Sequence, residues 1–339
     1  MCTRCVRFTH EVSESHALAA VYRGDHALIR PAEDANFNTD AYSDNVIDIC
    51  PVGALLSREN LDHARVWYTK PTPSVCPGCS RGCTVNIWSR RPEWALKALD
   101  PYLNSRIERV TPLENEAVNG PWICNKGRDL AKIFERPRAD KAMIAGAPVP
   151  LAEAAARAAA LLAGAAQVVA LVSSWGSNEE LAAFRDTIGA GLGERLRAYV
   201  KADHVPQPGE VVEDGLLIKA DKNPNMTAAL ALYPALPADA SAALAGADVV
   251  LVWGEGVDAA QLPSGAKVIR LDSYAHADLA RAEVFLPISI MTERSGHYTN
   301  FEGTVSPFTA VFTPQPTVAH AAALFAQLMP AVAPAGVGA

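Results

Sequence analysis

Beyond Cys124 this chain has no cysteine at all, although most of its 339 residues still follow. All seven thiols lie in the first part, six of them before residue 84. An odd count packed into one end excludes a secreted disulfide framework and points to metal ligation in a reducing compartment. A basic excess is also missing: 30 Lys and Arg face 37 Asp and Glu, a formal net charge of −7. Neutralising phosphates needs the opposite balance, so no nucleic-acid partner is expected. Nor is there a membrane-spanning run. Residues 158–178 carry no charge, but Gly164, Gln167, Ser173, Ser174, Gly176 and Asn178 break them into helix end, strand and turn. Arg4, Arg7, His10 and Glu11 interrupt any apolar start, which speaks against a signal peptide.

Catalytic signatures are equally scarce. The chain contains no G-x-S-x-G, no Walker motif and no H-E-x-x-H. Asp272 and Glu302 stand alone in sequence, and His63, His204, His276, His297 and His320 are scattered, so no catalytic residue is assigned. Half the residues are apolar and a fifth charged, an ordinary globular composition with room for two or three domains.

What is present is a concentration of thiols. Cys76-Pro77-Gly78-Cys79-Ser80-Arg81-Gly82-Cys83 is followed forty residues later by Ile123-Cys124-Asn125-Lys126-Gly127-Arg128. A cubane iron–sulfur cluster needs four converging thiolates, and C-x2-C-x3-C can wrap three of its corners while Cys124 closes the fourth. Gly78 and Gly82 let the backbone bend and turn its amides toward sulfur. A structural zinc also takes four cysteines, but usually as two separated pairs rather than three plus one, so the cluster is the favoured reading.

A second set is Cys2, Cys5 and Cys50, the last followed by Pro51 as in ferredoxin-type motifs. Those motifs supply near ligands as C-x2-C-x2-C, and here one falls outside the chain, two positions before Met1. Either the chain starts at an internal Met, the favoured expectation, or the cluster is altered, with His10 or His16 as a substitute ligand. Unliganded thiols are the plain alternative. Arg4, Arg7, Arg23 and Arg30 could offset a negative cluster, or simply be solvated.

Past Pro137 the composition changes to Ala-rich periodic segments. The pattern predicts a helix over 150–166 with Leu151, Ala155, Ala158, Leu161 and Leu162 on one face, and strands at 167–172, 247–253 and 267–271. Helical segments at 179–188, 239–246 and 276–281 alternate with them, so a parallel α/β sheet is expected. The Trp253-Gly254-Glu255-Gly256 turn sits where such folds take nucleotides, but reads better as a plain strand-end turn. Residues 330–339 are Pro-, Ala- and Gly-rich and expected to be disordered.

Taken in order, these motifs resemble the large iron–sulfur subunit family (the G subunit) of bacterial respiratory complex I, NADH-quinone oxidoreductase. The resemblance rests on Cys2-Thr3-Arg4-Cys5-Val6-Arg7-Phe8, Arg23-Gly24-Asp25-His26, Asn45 through Leu55, Ala64-Arg65-Val66-Trp67 and the Cys76–Cys83 motif. More loosely, Asp221-Lys222-Asn223-Pro224-Asn225, Ala282 through Pro287 and Gly296 through Gly303 resemble the molybdopterin-oxidoreductase domain. The resemblance implies an α/β protein with small loop-rich iron–sulfur domains, then a doubly wound parallel-sheet molybdopterin-oxidoreductase-like domain. The implied boundaries are 1–57 for a ferredoxin-like remnant, 69–137 for a 4Fe-4S domain, 138–329 for the α/β domain and 330–339 for a tail.

Cys76, Cys79, Cys83 and Cys124 would then hold one complete 4Fe-4S cluster, and Cys2, Cys5 and Cys50 an incomplete one, with no molybdopterin expected. The implied job is one-electron relay from NADH and flavin toward quinone. Partners would be the flavin/NADH-binding and quinone-side subunits of the peripheral arm, on the cytoplasmic side of the inner membrane. Cys124-Asn125-Lys126-Gly127 also occurs in molybdopterin enzymes such as formate dehydrogenase, where the matching Lys lies between cluster and pterin. That rival, and a non-redox scaffold, remain the alternatives.

Overall fold

The computed structural model describes residues 2–32, 37–57, 64–94 and 106–329. His63 and the expected disordered tail at 330–339 lie outside the described residues. The chain divides into two compact units: Met1–Ile133 with Gln207–Ala220, and Phe134–Pro206 with Asp221–Ala339. Both cysteine regions fall in the first unit. Residues 207–220, which the resemblance places inside the α/β domain, pack as part of the first unit instead.

In the first unit, α1 (Arg4–Glu11) precedes the antiparallel pair β1 (Leu18–Val21) and β2 (Leu28–Pro31). The Val46–Cys50 stretch, readable as strand or helix start, forms a short helix, α2 (Asn45–Ile49). A three-stranded antiparallel sheet follows, made of β3 (Thr69–Val75), β4 (Thr84–Arg90) and β5 (Arg109–Pro112) with β4 at its centre. Along β4, Val85, Ile87 and Ser89 are buried at every second position, as half-buried strand geometry requires. Pro71 and Pro73 are accommodated because β3 is an edge strand and needs no donors on its outer side. After β5 the chain reaches α3 (Asn125–Arg128), a single helical turn.

The second unit is built on a seven-stranded sheet. Its strands are β6 (Met143–Ile144), β7 (Ala147–Pro148), β8 (Val168–Ser173), β9 (Leu196–Lys201), β10 (Val249–Trp253), β11 (Lys267–Asp272) and β12 (Val284–Pro287). They lie in the order β7-β6-β12-β11-β10-β8-β9. The five from β8 to β12 are parallel, while β6 and β7 run antiparallel at the edge. The sheet is therefore mixed, a correction to the all-parallel expectation. The extra hairpin turns at Ala145 and Gly146, with φ of 48° and 80°, and its two-residue strands are too short to show alternation in sequence.

Every residue of β8 and β10 is buried. Their side chains divide by period two between two apolar clusters. Val168, Ala170, Val172, Leu251 and Trp253 pack with α4 (Leu151–Gly164), α5 (Asn178–Phe184) and α6 (Ala321–Leu328). Val169, Leu171, Val250 and Val252 pack with Leu244, Val257 and Leu262. At about 1.5–3 kcal/mol for each large side chain removed from water, the two clusters dominate the stability of this unit. Helix α4 buries Ala155, Ala158 and Leu162 as its periodicity predicts, and Ala154 besides. Helix α5 begins with a capping box between Ser177 and Glu180 and passes into a wider-wound turn at Arg185–Gly189. A smaller antiparallel pair, β13 (Gly296–Thr299) and β14 (Val305–Phe308), precedes α6.

Gly176 is where this packing is tightest: a Cβ there would stand 2.3 Å from the Trp253 ring. Gly176→Ala is expected to lower the free energy of unfolding by about 1–3 kcal/mol. Gly265→Ala, which would meet nothing within 4 Å, should stay close to wild type. Urea denaturation curves of the two variants check this, and equal midpoints would contradict it.

Candidate metal centre

Cys76 through Cys83 form the connection between β3 and β4, so the first three thiols sit on the loop of a hairpin. The loop is closed by the Cys76 amide donating to the Cys83 carbonyl at 2.7 Å and the Gly82 amide donating to the Cys79 carbonyl at 3.3 Å. Gly82 has a φ of 63°, a left-handed turn that disfavours any side chain. The Gly78 amide points at Cys76 Sγ at 3.4 Å, as the sequence suggests for one of the two glycines. Cys124 caps α3, where the Gly127 amide donates to its carbonyl at 3.0 Å.

Two glycines converge on one sulfur. A Cβ on Gly127 would lie 3.3 Å from Cys76 Sγ, and one on Gly78 3.4 Å from the same atom. The α3 turn is thereby brought against the hairpin loop, with Cys76, Cys79 and Cys83 buried. Burial pushes the Cys76 and Cys83 thiols well up, and the neighbouring thiols push further: Cys124 and Cys79 on Cys76, and Cys76, Cys79 and Cys124 on Cys83. Cys124 is pushed up to about 11, by burial first and then by Cys79. The four sulfurs share one neighbourhood. Left bare they resist ionisation, whereas a bound cationic group would draw them into the thiolate form. Among the described residues, no three His, Cys, Asp or Glu converge tightly enough to hold a single metal ion.

A polar clasp fixes Cys124. Asn45, fully buried, donates to the Ile123 carbonyl at 2.8 Å and accepts from Arg128 at 2.8 Å. Asn125 donates through its side chain to the Asp40 carbonyl and to Ser43 Oγ, each at 2.9 Å, and its amide donates to the Ala41 carbonyl at 2.7 Å. Arg128 also pairs with Asp48 at 2.6 Å, and Phe8 meets Trp122 edge-on at 5.0 Å. None of these partners stands out in sequence as a site residue, because they lie about eighty positions from one another. The two Asn residues are readable there only as loop polarity.

Cys2, Cys5 and Cys50 form a looser group. Cys5 is buried and its thiol is raised by burial, with Cys50 and Cys2 adding to the effect. Cys50 is lowered instead, because the amides of Leu55, Val52, Ala54 and Gly53 turn toward its sulfur. That ring of donors is the stabilisation an anionic sulfur ligand uses. His10 and His16 stack edge-on at 4.5 Å against each other. Arg7 pairs with Glu11 at 2.9 Å, and Arg4, Arg23 and Arg30 are exposed.

The second unit holds a small polar crevice at the ends of its parallel strands, lined by Arg136, Trp175, His204, Glu255 and Tyr274 among others. Gly254 and Gly256, with φ of 82° and 81°, are required there by backbone approach: a Cβ on Gly256 would sit 2.3 Å from the Ala202 carbonyl. Arg136 bonds Glu255 through two contacts of 3.0 and 2.9 Å and lies 3.8 Å over the Tyr274 ring. His204 is 3.3 Å from Glu255. The scattered histidines thus find acidic or hydroxyl partners, His276 with Asp272, His297 with Glu179 and His320 with Ser289.

Comparison with known proteins is informative for the first unit. Residues 1–56 match the family described as NADH-quinone oxidoreductase subunit 3, ferredoxin-like domain, and residues 69–136 match the molybdopterin oxidoreductase Fe4S4 domain. The G subunit of NADH-quinone oxidoreductase from Rickettsia typhi is 35% identical over 127 residues, covering 38% of this chain and 17% of that protein. The mitochondrial NADH dehydrogenase [ubiquinone] iron-sulfur protein 1 of Solanum tuberosum is 38% identical over 146 residues, 43% of this chain and 18% of that one. The NADPH-Fe(3+) oxidoreductase subunit alpha of Geobacter sulfurreducens is 31% identical over 128 residues, 38% and 13% of the two chains. The aligned stretch thus spans less than a fifth of these relatives. The chain's N-terminal region is homologous to part of these oxidoreductase subunits.

Burial alone would raise the Glu255 carboxyl, but hydrogen bonds from His204 and Arg136 outweigh it and hold the carboxyl at about 2, against 4.5 when unperturbed. The folded value is depressed, so the pair's contribution is fully present above pH 4.5 and is lost as pH falls from there toward about 2. Glu255→Gln is expected to remove part of the acid-side fall in thermal midpoint. A variant whose midpoint falls as steeply as wild type through that window would contradict it.

Proposed function

We propose that this chain is an iron–sulfur electron-transfer subunit of an NADH-quinone oxidoreductase, relaying single electrons from NADH and flavin toward quinone and scaffolding its peripheral arm. The observation that carries the reading is that Cys76, Cys79 and Cys83 lie buried on one hairpin loop, with the α3 turn that carries Cys124 against it, in a region homologous to such subunits. These residues fit a 4Fe-4S cluster better than a zinc ion. A cubane spreads its four ligands over separate irons, which suits three thiols on one hairpin loop and a fourth on the α3 turn, whereas zinc ligands usually come as two separated pairs. When bound, the cluster supplies a one-electron couple that changes oxidation state without bond making or proton transfer.

The residues of the chain then have three tasks. The hairpin loop and α3 carry the sulfurs, Gly78 and Gly127 keep the walls close, and the Asn45–Arg128–Asp48 clasp ties the Cys124 turn to α2. Cys2, Cys5 and Cys50 would serve a second cluster on the main electron path. The second unit is read as a doubly wound, molybdopterin-oxidoreductase-like scaffold without the pterin. Support comes from its parallel strand order β12-β11-β10-β8-β9 and from apolar packing on both sheet faces. Partners would be the flavin/NADH-binding and quinone-side subunits, with attachment to the cytoplasmic side of the inner membrane through them. Among the described residues no helix is long and apolar enough to cross a membrane. Independent molybdopterin catalysis is the weaker reading, because Lys126 is engaged by Glu210.

Anaerobically purified protein is expected to contain iron and acid-labile sulfide in near-equal amounts, about four of each per chain for the complete site. Molybdenum and tungsten should be far below stoichiometric. Cys83→Ser should lose roughly half or more of the iron. Stoichiometric zinc with no sulfide, or iron content indifferent to Cys83→Ser, would overturn the reading.

A further inference from the structure

Residues 207–220 interrupt the second unit in sequence and pack with the first. They bring two carboxylates to the candidate metal centre. Glu210 forms an ion pair with Lys126, which lies two residues from Cys124 and whose stem would touch a Cβ on Gly78 at 3.8 Å. Asp214 accepts from the buried Tyr42 hydroxyl at 2.5 Å and, through its other oxygen, from the amides of Leu216, Leu217 and Ile218 at 2.9, 3.0 and 2.9 Å. Tyr42 in turn accepts from the Leu217 amide at 3.1 Å. Leu217 and Ile218 are buried, so the segment is a packed part of the unit.

Four donors on one carboxylate and a paired ammonium on the other are more than surface decoration requires. Asp214 is bonded to Tyr42, whose neighbours Ala41 and Ser43 hold Asn125 beside Cys124, and the Lys126 stem lies against Gly78, whose amide meets Cys76 Sγ. Adding an electron to a group ringed by thiolates is opposed by every nearby negative charge and favoured by every positive one.

We propose that Glu210 and Asp214 are positioning residues that lower the reduction potential of the Cys76–Cys79–Cys83–Cys124 site, Glu210 by neutralising Lys126 and Asp214 by its own fixed charge. The proposal rests on the cluster reading above. The redox step is a single electron, donated by dithionite in the test, with no proton or bond exchanged.

The test is an EPR-monitored redox titration of the full chain with iron and sulfide analysed in each sample. Asp214→Asn and Glu210→Gln should each raise the midpoint potential, by an amount on the order of a tenfold change in the reduction equilibrium, about 59 mV for one electron. Lys126→Gln should lower it, and the Glu210→Gln/Lys126→Gln double variant should return close to wild type, because it removes a neutral pair. Glu210→Asp should restore most of the wild-type value, and Glu153→Gln on the exposed side of α4 should change nothing. A wild-type chain without iron and sulfide would overturn the cluster reading itself. A loaded chain whose potential ignores Asp214→Asn and Glu210→Gln would overturn only the tuning role. Variants that lose the cluster while wild type keeps it would show that the carboxylates merely support the fold, which also overturns it.

Discussion

Three buried thiols on one loop with a fourth, half-buried, beside them are a constraint before they are a function. Taking an anion out of water costs several kcal/mol unless a cation or a set of donors replaces the lost hydration. Cys76, Cys83 and Cys124 show the consequence, each held toward its neutral form by burial and by the other sulfurs. The surroundings of the site follow from that pressure. The Gly78 amide turns to sulfur, Lys126 and Arg81 act as nearby positive charges, and glycine replaces any side chain that would come between the loop and α3. Neutral thiols tolerate this burial, and a cationic group bound among them would draw them into the thiolate form.

The first unit is built from short elements, with Phe8, Val46, Val85, Ile87, Val110 and Ile123 buried between them. Its three-stranded sheet, one short hairpin and single-turn α3 are joined by buried polar residues, with Asn45 contacting both Ile123 and Arg128. Small domains of this kind commonly depend on a metal for stability. The second unit shows the opposite economy, with fully buried strands and two apolar clusters.

That contrast also explains what can be read from residues alone. Strand β10 and helix α4 announce themselves because long buried elements repeat their period over many positions, and the C-x2-C-x3-C spacing fixes a turn as well as a chemistry. The edge hairpin around Ala145 is invisible in sequence, since two-residue strands have no period. The clasp is invisible for a different reason: Asn45 and Asn125 act through partners far along the chain, and a polar residue in a loop has the same appearance whether it clamps a metal site or faces water. Assigning residues 207–220 to the α/β domain follows sequence continuity, and the packing of Leu217 and Ile218 follows contact instead.

Open α/β sheets take ligands in the crevice beyond the carboxyl ends of their strands, where the strand order reverses. In the parallel part of this sheet the reversal falls between β8 and β10, whose ends carry Ser173 and Trp253. That crevice is lined by the chain's own charged network. Arg136 lies over Tyr274 and grips Glu255, His204 leans on both Glu255 and Trp175, and Lys201 pairs with Asp203. Gly254 and Gly256, whose sequence reads as a plain strand-end turn, let the backbone approach Asp203 and Ala202. A position that open α/β folds use for binding is thus engaged here in the chain's own ion pairing.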